Sequence, residues 1–217
     1  MSPNLLENPR VGILHIGPHG ASHKTALESL QACGMPGLQI GICSDRTEVR
    51  DGDWTAIPDS NLGIAFNRRP DLSNVFVTDQ VSTLGDWADM VIVASPTADH
   101  LDHAQTVNAH RLVEKAPAFD APTCAQVVNT DGSHGLKLGF AYELPYFAEH
   151  AVLASCLGEV PFTTDGSLRI TMKRIVTTKN PIADPKRRGK IKNAFFDLAG
   201  HDINFILKFF GMPNRVE

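Results

Sequence analysis

The sequence predicts an α/β protein with a doubly wound parallel sheet in its first domain and an incomplete, open-sheet α/β domain after it. Two observations predict the first domain. Short apolar runs alternate with helical patterns from Val11 to Tyr142. The run Met90–Ala94 is also continuously apolar, as parallel strands covered on both faces are. With 217 residues, the chain is long enough for one domain and part of another.

The first unit of this pattern is a strand, a glycine turn, a helix and a second strand. The strands are expected at Val11–Ile16 and Leu38–Cys43, and the helix at Ser22–Cys33, after the turn Gly17–Gly20. Such βαβ units wind right-handed and build parallel sheets.

Further strands and helices alternate after this unit. Strands are predicted at Val75–Val77, Met90–Ala94, Arg111–Val113 and Leu136–Tyr142, and helices at Val81–Ala88, Asp99–Ala109 and Pro122–Thr130.

The pattern changes near Pro145, which suggests a first domain at residues 1–143 and a second at 144–217. In the second, we expect a helix at Phe147–Cys156, a strand at Ser167–Thr178 and an apolar helix at Asn193–Phe210.

Composition excludes several function classes. The net charge of −4 shows no basic excess, so a nucleic-acid partner is not expected. No apolar run approaches the roughly 20 residues of a membrane span, and the first ten residues do not resemble a signal peptide. The four cysteines lie far apart, which favours reduced thiols and a cytoplasmic location.

The turn after the first strand is typical of phosphate binding. A helix N-terminus attracts anions, and glycine lets a pyrophosphate approach the backbone closely. Gly17 and Gly20 occupy two positions of the G-x-G-x-x-G pattern, but His15 occupies the first and could narrow the turn. The incomplete pattern leaves a ligand-free tight turn as an equal alternative.

Two charged residues at the end of the second strand bear on the cofactor. Asp45 is placed to bond the ribose hydroxyls of NAD, and the alternative is a capping or solvated aspartate. Arg46 could instead meet the 2′-phosphate of NADP, so NAD is favoured and NADP stays open.

Four segments together resemble one family. They are "VGILHIGPHGASH" (Val11–His23), "DMVIVASPTADH" (Asp89–His100), "VEKAP" (Val113–Pro117) and "DLAGHDIN" (Asp197–Asn204). In this order they resemble the Gfo/Idh/MocA oxidoreductases, the relatives of glucose–fructose oxidoreductase and inositol dehydrogenase. "VEKAP" is similar to the family's Glu-Lys-Pro motif, with one alanine inserted between the lysine and the proline.

The resemblance implies a Rossmann domain followed by a substrate domain, and it assigns site residues. Lys115 would be the catalytic lysine, with Asp197 and His201 as the acid/base pair. Ser95 and Pro96 would lie beside the nicotinamide half of the cofactor. The whole predicted cofactor site is His15, Gly17, Gly20, Asp45, Arg46, Ser95, Pro96, His100, Glu114 and Lys115.

These catalytic residue types suit hydride transfer at a secondary alcohol. Histidine can take the hydroxyl proton near neutral pH, and a lysine ammonium stabilises the developing negative oxygen. Asp197 and His201 are four residues apart and share a helical face. Without the resemblance, the helical face that holds Asp197 and His201 is interpreted as a polar surface facing water, and Lys115 as a solvated residue.

Histidine spacing raises the question of a metal. His15, His19 and His23 are four residues apart, but Pro18 and Gly20 argue against one continuous helix through them. His103 follows His100 by three residues without a third ligand nearby, so no metal is predicted.

Two functions follow. The first is an NAD(P)-dependent oxidoreductase acting on a sugar, cyclitol or related polyol. The second is a non-catalytic dinucleotide-binding sensor or a truncated inactive relative. Family members continue past the helix that holds His201, so we also expect an exposed sheet face here, through which homo-oligomers could form.

Overall fold

The computed structural model describes residues 7–59, 64–129, 135–142 and 200–212, and the single residues Tyr146, Ala148, Val152 and Ser155. Contacts divide the chain into two compact units, Met1–Ala141 and Tyr142–Glu217. Each is described by itself.

The first unit is built on a six-stranded parallel sheet. Its strand order is β3-β2-β1-β4-β5-β6, so the order reverses between β1 and β4. This is the doubly wound Rossmann arrangement, and the predicted fold class is confirmed. The strands are β1 Arg10–Leu14, β2 Gln39–Cys43, β3 Phe76–Thr78, β4 Met90–Val93, β5 His110–Val113 and β6 Leu138–Phe140.

Helices connect the strands. They are α1 Pro18–Cys33, α2 Thr47–Arg50, α3 Val81–Trp87, α4 His100–Thr106 and α5 Ala121–Asn129, with a 3₁₀ turn at Thr97–Asp99. Helix α1 begins four residues before the predicted Ser22, because proline at the first helical position has a suitable φ and lacks only an N–H that would be unbonded there. The predicted helix ending at Ala109 ends at Thr106 instead.

The sheet is covered on both faces, which explains the unbroken apolar run in β4. Ile92 belongs to a core cluster that also holds Ile13 and Ile42. Its neighbours Val91 and Val93 belong to a second cluster. Since side chains alternate across a strand, the two clusters lie on opposite faces of the sheet.

Trp54 anchors the irregular segment that follows α2. Its ring is buried, with 1% exposed, and its indole N–H donates to the Val49 carbonyl at 2.9 Å. The ammonium of Lys24, buried on α1, lies 5.7 Å from the ring centroid. The segment after β2 is thereby held against α1.

The second unit is described through α6, Gly200–Phe210, and the few residues before it. The predicted helix Phe147–Cys156, apart from three of its residues, and the predicted strand Ser167–Thr178 lie outside the described residues. The first part of the predicted helix Asn193–Phe210, residues 193–199, lies outside them as well. Among the described helices, none is long and apolar enough to cross a membrane.

Candidate functional site

The carboxyl ends of four strands bring predicted site residues to one edge of the sheet. His15 follows β1, Asp45 follows β2, Ser95 follows β4 and Glu114 follows β5. Since β1 and β4 are the neighbours at which strand order reverses, this edge holds the topological switch point of the sheet. Ligands of open α/β sheets bind at this position.

The turn after β1 keeps the glycine-type backbone although it begins with histidine. His15 has a φ of 71°, in the left-handed region, and its N–H donates to the Cys43 carbonyl at 2.9 Å. Histidine tolerates this region better than most residues do. A Cβ on Gly20 would lie 2.3 Å from the His15 carbonyl oxygen, so only glycine allows α1 to approach β1 this closely.

Gly17 forms the N-cap of α1 and leaves room beside the helix N-terminus. It makes no side-chain cap, and Pro18 follows at the first helical position. A Cβ on Gly17 would lie 3.4 Å from Nε2 of His15, so the imidazole borders the open face of this glycine. A cradle without a Cβ at a positive helix end fits the pyrophosphate of a dinucleotide.

The two charged residues after β2, Asp45 and Arg46, differ in their contacts with neighbouring side chains. Arg46 forms an ion pair with Glu48 at 2.7 Å, and its N–H donates to the Ser44 hydroxyl at 3.2 Å. Asp45 is exposed at the strand end. The carboxylate of Asp45 is therefore exposed, whereas the guanidinium of Arg46 is paired.

The loops after β4 and β5 are joined through a histidine. His100 is 1% exposed, and its ring nitrogens lie 2.9 Å from the Ser95 carbonyl and 3.0 Å from the Ala116 carbonyl. Burial lowers the pKa of His100, although both carbonyls favour its charged form. In this structure His100 links two loops, and its predicted contact with a cofactor stays a prediction.

Glu114 ties the end of β5 to α1. Its Oε1 lies 2.7 Å from Nε2 of His23, and its Oε2 accepts the Lys115 N–H at 3.2 Å. Burial alone would raise the pKa of Glu114, but His23, the nearby His19 and the Lys115 amide hold it below its ordinary value. The peptide between Lys115 and Ala116 is cis.

Two site residues were missed by the sequence prediction. The sequence suggested His23 only as a possible metal ligand, and its contact with Glu114 spans 91 positions. His103 was considered only as a metal ligand, and its Nδ1 lies 2.8 Å from the Ser95 hydroxyl. Helical spacing could have placed His19 and His23 on one face, but not their partners.

The histidine spacing does not translate into a ligand set. Helix α1 contains His19 and His23 but begins after His15, so the three do not lie on one helix. Within the described ranges, no three His, Cys, Asp or Glu side chains are grouped to hold a metal ion.

In the second unit, the structure describes one of the two predicted acid/base residues. His201 is buried at the start of α6 and meets the Tyr142 ring edge-on, with centroids 5.6 Å apart. The helix is therefore not a wholly water-facing stripe at this position. Asp197 lies outside the described residues, so its pairing with His201 stays a prediction.

Comparison with solved structures identifies the fold. Scyllo-inositol dehydrogenase from Lactobacillus casei, solved with NAD(H) and scyllo-inositol, has a TM-score of 0.62 and 16% identity over 94% of this chain and 56% of its own. The proposed oxidoreductase yvaA from Bacillus subtilis has a TM-score of 0.64 and 19% identity over 96% and 54%. The WlbA dehydrogenase from Bordetella pertussis, solved with NADH and UDP-GlcNAcA, has a TM-score of 0.54 and 15% identity over 72% and 44%.

The chain has the fold of these oxidoreductases, as the sequence resemblance predicted. It spans about half the length of the solved structures that it matches. No family model matches the chain, and no curated protein does.

Proposed function

We propose that this chain is a nicotinamide-dependent oxidoreductase of the Gfo/Idh/MocA type, with NAD as the favoured cofactor. The observation that carries the proposal is the glycine turn on α1 beside the switch point between β1 and β4. Structures with this fold include dehydrogenases solved with NAD(H) or NADH, which supports a dinucleotide at the same edge here.

Different residues at this edge of the sheet are proposed to bind different parts of the dinucleotide. Gly17 and the N-terminus of α1 receive the pyrophosphate, and the exposed Asp45 accepts hydrogen bonds from the adenosine ribose. In NADP a 2′-phosphate replaces one of these hydroxyls, and Asp45 would repel it. Because Arg46 is paired with Glu48, NADP would have to compete for that guanidinium.

The proposed substrate is a sugar, cyclitol or related polyol with an oxidisable secondary alcohol. A bound nicotinamide would supply the hydride acceptor or donor. His201 takes the hydroxyl proton, Asp197 orients the imidazole, and the Lys115 ammonium stabilises the oxygen as charge develops. The Glu114–His23 pair positions Lys115, because Glu114 accepts its backbone N–H.

Cofactor binding and turnover are tested separately. We expect the purified chain to bind NAD, measured by calorimetry, and to reduce it with a member of a polyol panel, measured by absorbance of the reduced nicotinamide. Cofactor binding without turnover on any substrate would contradict catalysis and leave a dinucleotide-binding sensor. Failure to bind either dinucleotide would overturn the proposal.

Asp45→Ala tests the cofactor preference. Losing a charged hydrogen bond to the ribose should weaken NAD about tenfold or more and NADP less. Asp86→Ala, which removes an exposed carboxylate on α3, is the control and should leave both affinities unchanged. An equal loss of NAD and NADP affinity in Asp45→Ala would reject the ribose role.

His201→Asn tests the catalytic assignment. We expect turnover to be lost and NAD affinity to be retained, because the residue acts on the substrate proton. A matching loss of cofactor affinity would mean that His201 is not the acid/base residue.

A further inference from the structure

The imidazole of His15 stands at the phosphate-binding turn with its hydrogen-bonding capacity unused. It is half-buried, its Nε2 lies beside the open face of Gly17, and no side-chain hydrogen bond to it occurs within the described ranges. A glycine at this position would offer only backbone. The side chain is therefore an additional polar group that this turn presents to a ligand.

A second histidine lies on the other side of the switch point between β1 and β4. His103, on α4, is held through Nδ1 by the Ser95 hydroxyl at 2.8 Å, and its Nε2 has no partner among the residues described. Its charge and that of His15 act on one another. One histidine thus follows β1, and the other is anchored to the loop after β4, on either side of the switch point.

We propose that His15 and His103 form an imidazole pair that binds the pyrophosphate of the dinucleotide. This rests on the cofactor site of the proposed function and adds the side chains that recognise its phosphates. An imidazole donates an N–H in its neutral form and gains a positive charge on protonation. Two such rings supply N–H donors, and positive charge when they are protonated, whereas a glycine-rich turn supplies only backbone amides.

The surroundings of the pair make its charge depend on the ligand. Burial lowers the pKa of both histidines; Asp45 and Asp99 oppose this at His15 and Arg46 adds to it, while Asp99 and Asp102 oppose it at His103. Both rings are therefore largely neutral at pH 7 without a ligand. A pyrophosphate between them raises both pKa values, so that binding takes up protons.

The affinity of the pair for the pyrophosphate should fall as pH rises. The pKa of each ring is higher in the bound state than in the free state, so its contribution is complete below the free-state pKa and disappears as pH rises through the bound-state pKa. A rise of about one unit per ring gives about tenfold in affinity for each. The pyrophosphate itself does not titrate in this range.

The experiment measures proton uptake on binding and needs no turnover. NAD is titrated by calorimetry between pH 5.5 and 8.5 in buffers of different ionisation enthalpy, and the ring proton resonances of the histidines are followed by NMR. ADP-ribose, which carries the pyrophosphate, and adenosine, which does not, are compared. The variants are His15→Gly, which suits the left-handed φ, and His103→Gln, with His110→Gln at the opposite end of the sheet as control.

We expect NAD and ADP-ribose to bind the unmodified chain at least about tenfold more weakly at pH 8.5 than at pH 5.5, with proton uptake near pH 6.5. Adenosine should show neither effect. Each site variant should take up fewer protons, the double variant none, and His110→Gln as many as the unmodified chain. At pH 8.5, His15→Gly loses only the neutral N–H donor, so its loss of NAD affinity relative to the unmodified chain should be smaller than at pH 5.5.

Two results would count against the pair in different ways. NAD binding without proton uptake, or uptake that survives both substitutions, would overturn the imidazole pair and leave the proposed cofactor site intact. Absence of NAD and NADP binding at every pH would overturn both.

Discussion

Replacing Gly20 by alanine is expected to destabilise the first unit, because the new Cβ would lie 2.3 Å from the His15 carbonyl oxygen. The helix would have to move away from the turn by roughly 1 Å to restore ordinary contact. Overpacking of this kind costs about 1–3 kcal/mol. Alanine returns up to about 1 kcal/mol in helix propensity. The net loss of unfolding free energy should be about 1–2 kcal/mol, or roughly 3–8 °C in Tm.

Urea unfolding followed by tryptophan fluorescence measures this loss. The chain has two tryptophans, Trp54 and Trp87, and both lie in the first unit, so the signal reports on that unit. Gly139→Ala is the matched control, since its Cβ would lie 3.5 Å from the Leu112 side chain and 4.0 Å from the Arg111 carbonyl oxygen, both ordinary contacts. A Gly20→Ala chain as stable as this control would refute the close approach of α1 to the turn.

Gly17→Ala separates binding from packing. Its Cβ would lie 3.4 Å from the His15 ring, and its backbone is extended, so the loss in unfolding free energy should stay below about 1 kcal/mol. The methyl group would nevertheless fill the face that the pyrophosphate approaches. NAD affinity should fall more than tenfold. Unchanged affinity would show that the pyrophosphate does not lie at this glycine.

Two further predictions concern titrating groups. Burial raises the pKa of Cys43 to about 11, so native alkylation followed by mass spectrometry should label the exposed Cys33 and spare Cys43, and equal labelling would contradict this burial. At Asp89, burial alone would raise the pKa, but the Arg10 guanidinium and amide hold the pKa below its ordinary value. The interaction of Asp89 with Arg10 therefore stabilises the fold above about pH 4, and this stabilisation is lost as pH falls through the depressed pKa. Asp89→Asn should therefore reduce stability by up to about 1 kcal/mol at pH 6 and by less at pH 2.5, measured by urea unfolding, whereas a loss independent of pH would contradict the ion pair.

The strands were the most predictable part of the fold. Apolar runs placed both ends of all six strands within two residues, because burial on both faces requires apolar side chains at consecutive positions. The last strand, β6, is four residues shorter than predicted. The predicted start of α1 at Ser22 was wrong. Pro18 and Gly20 are typical turn residues, but proline is also well suited to the first turn of a helix.

The site was predictable only where a residue follows a strand directly. Asp45, Ser95 and Glu114 could be placed at the carboxyl edge because parallel strands all end there. The pairing of His23 with Glu114 and the burial of His100 could not be inferred, since their partners come from other elements.

The sequence by itself determined the parallel sheet, the glycine turn and the acidic residue after β2, because each depends on local pattern and on strand order. The tertiary structure decided which side chains meet around that turn. It showed that His15 adopts the glycine conformation and borders Gly17, and that Ser95 anchors His103 nearby. Such contacts depend on how α1 and α4 pack against the sheet. Packing distances of a few ångströms cannot be inferred from the hydrophobic periodicity of a sequence.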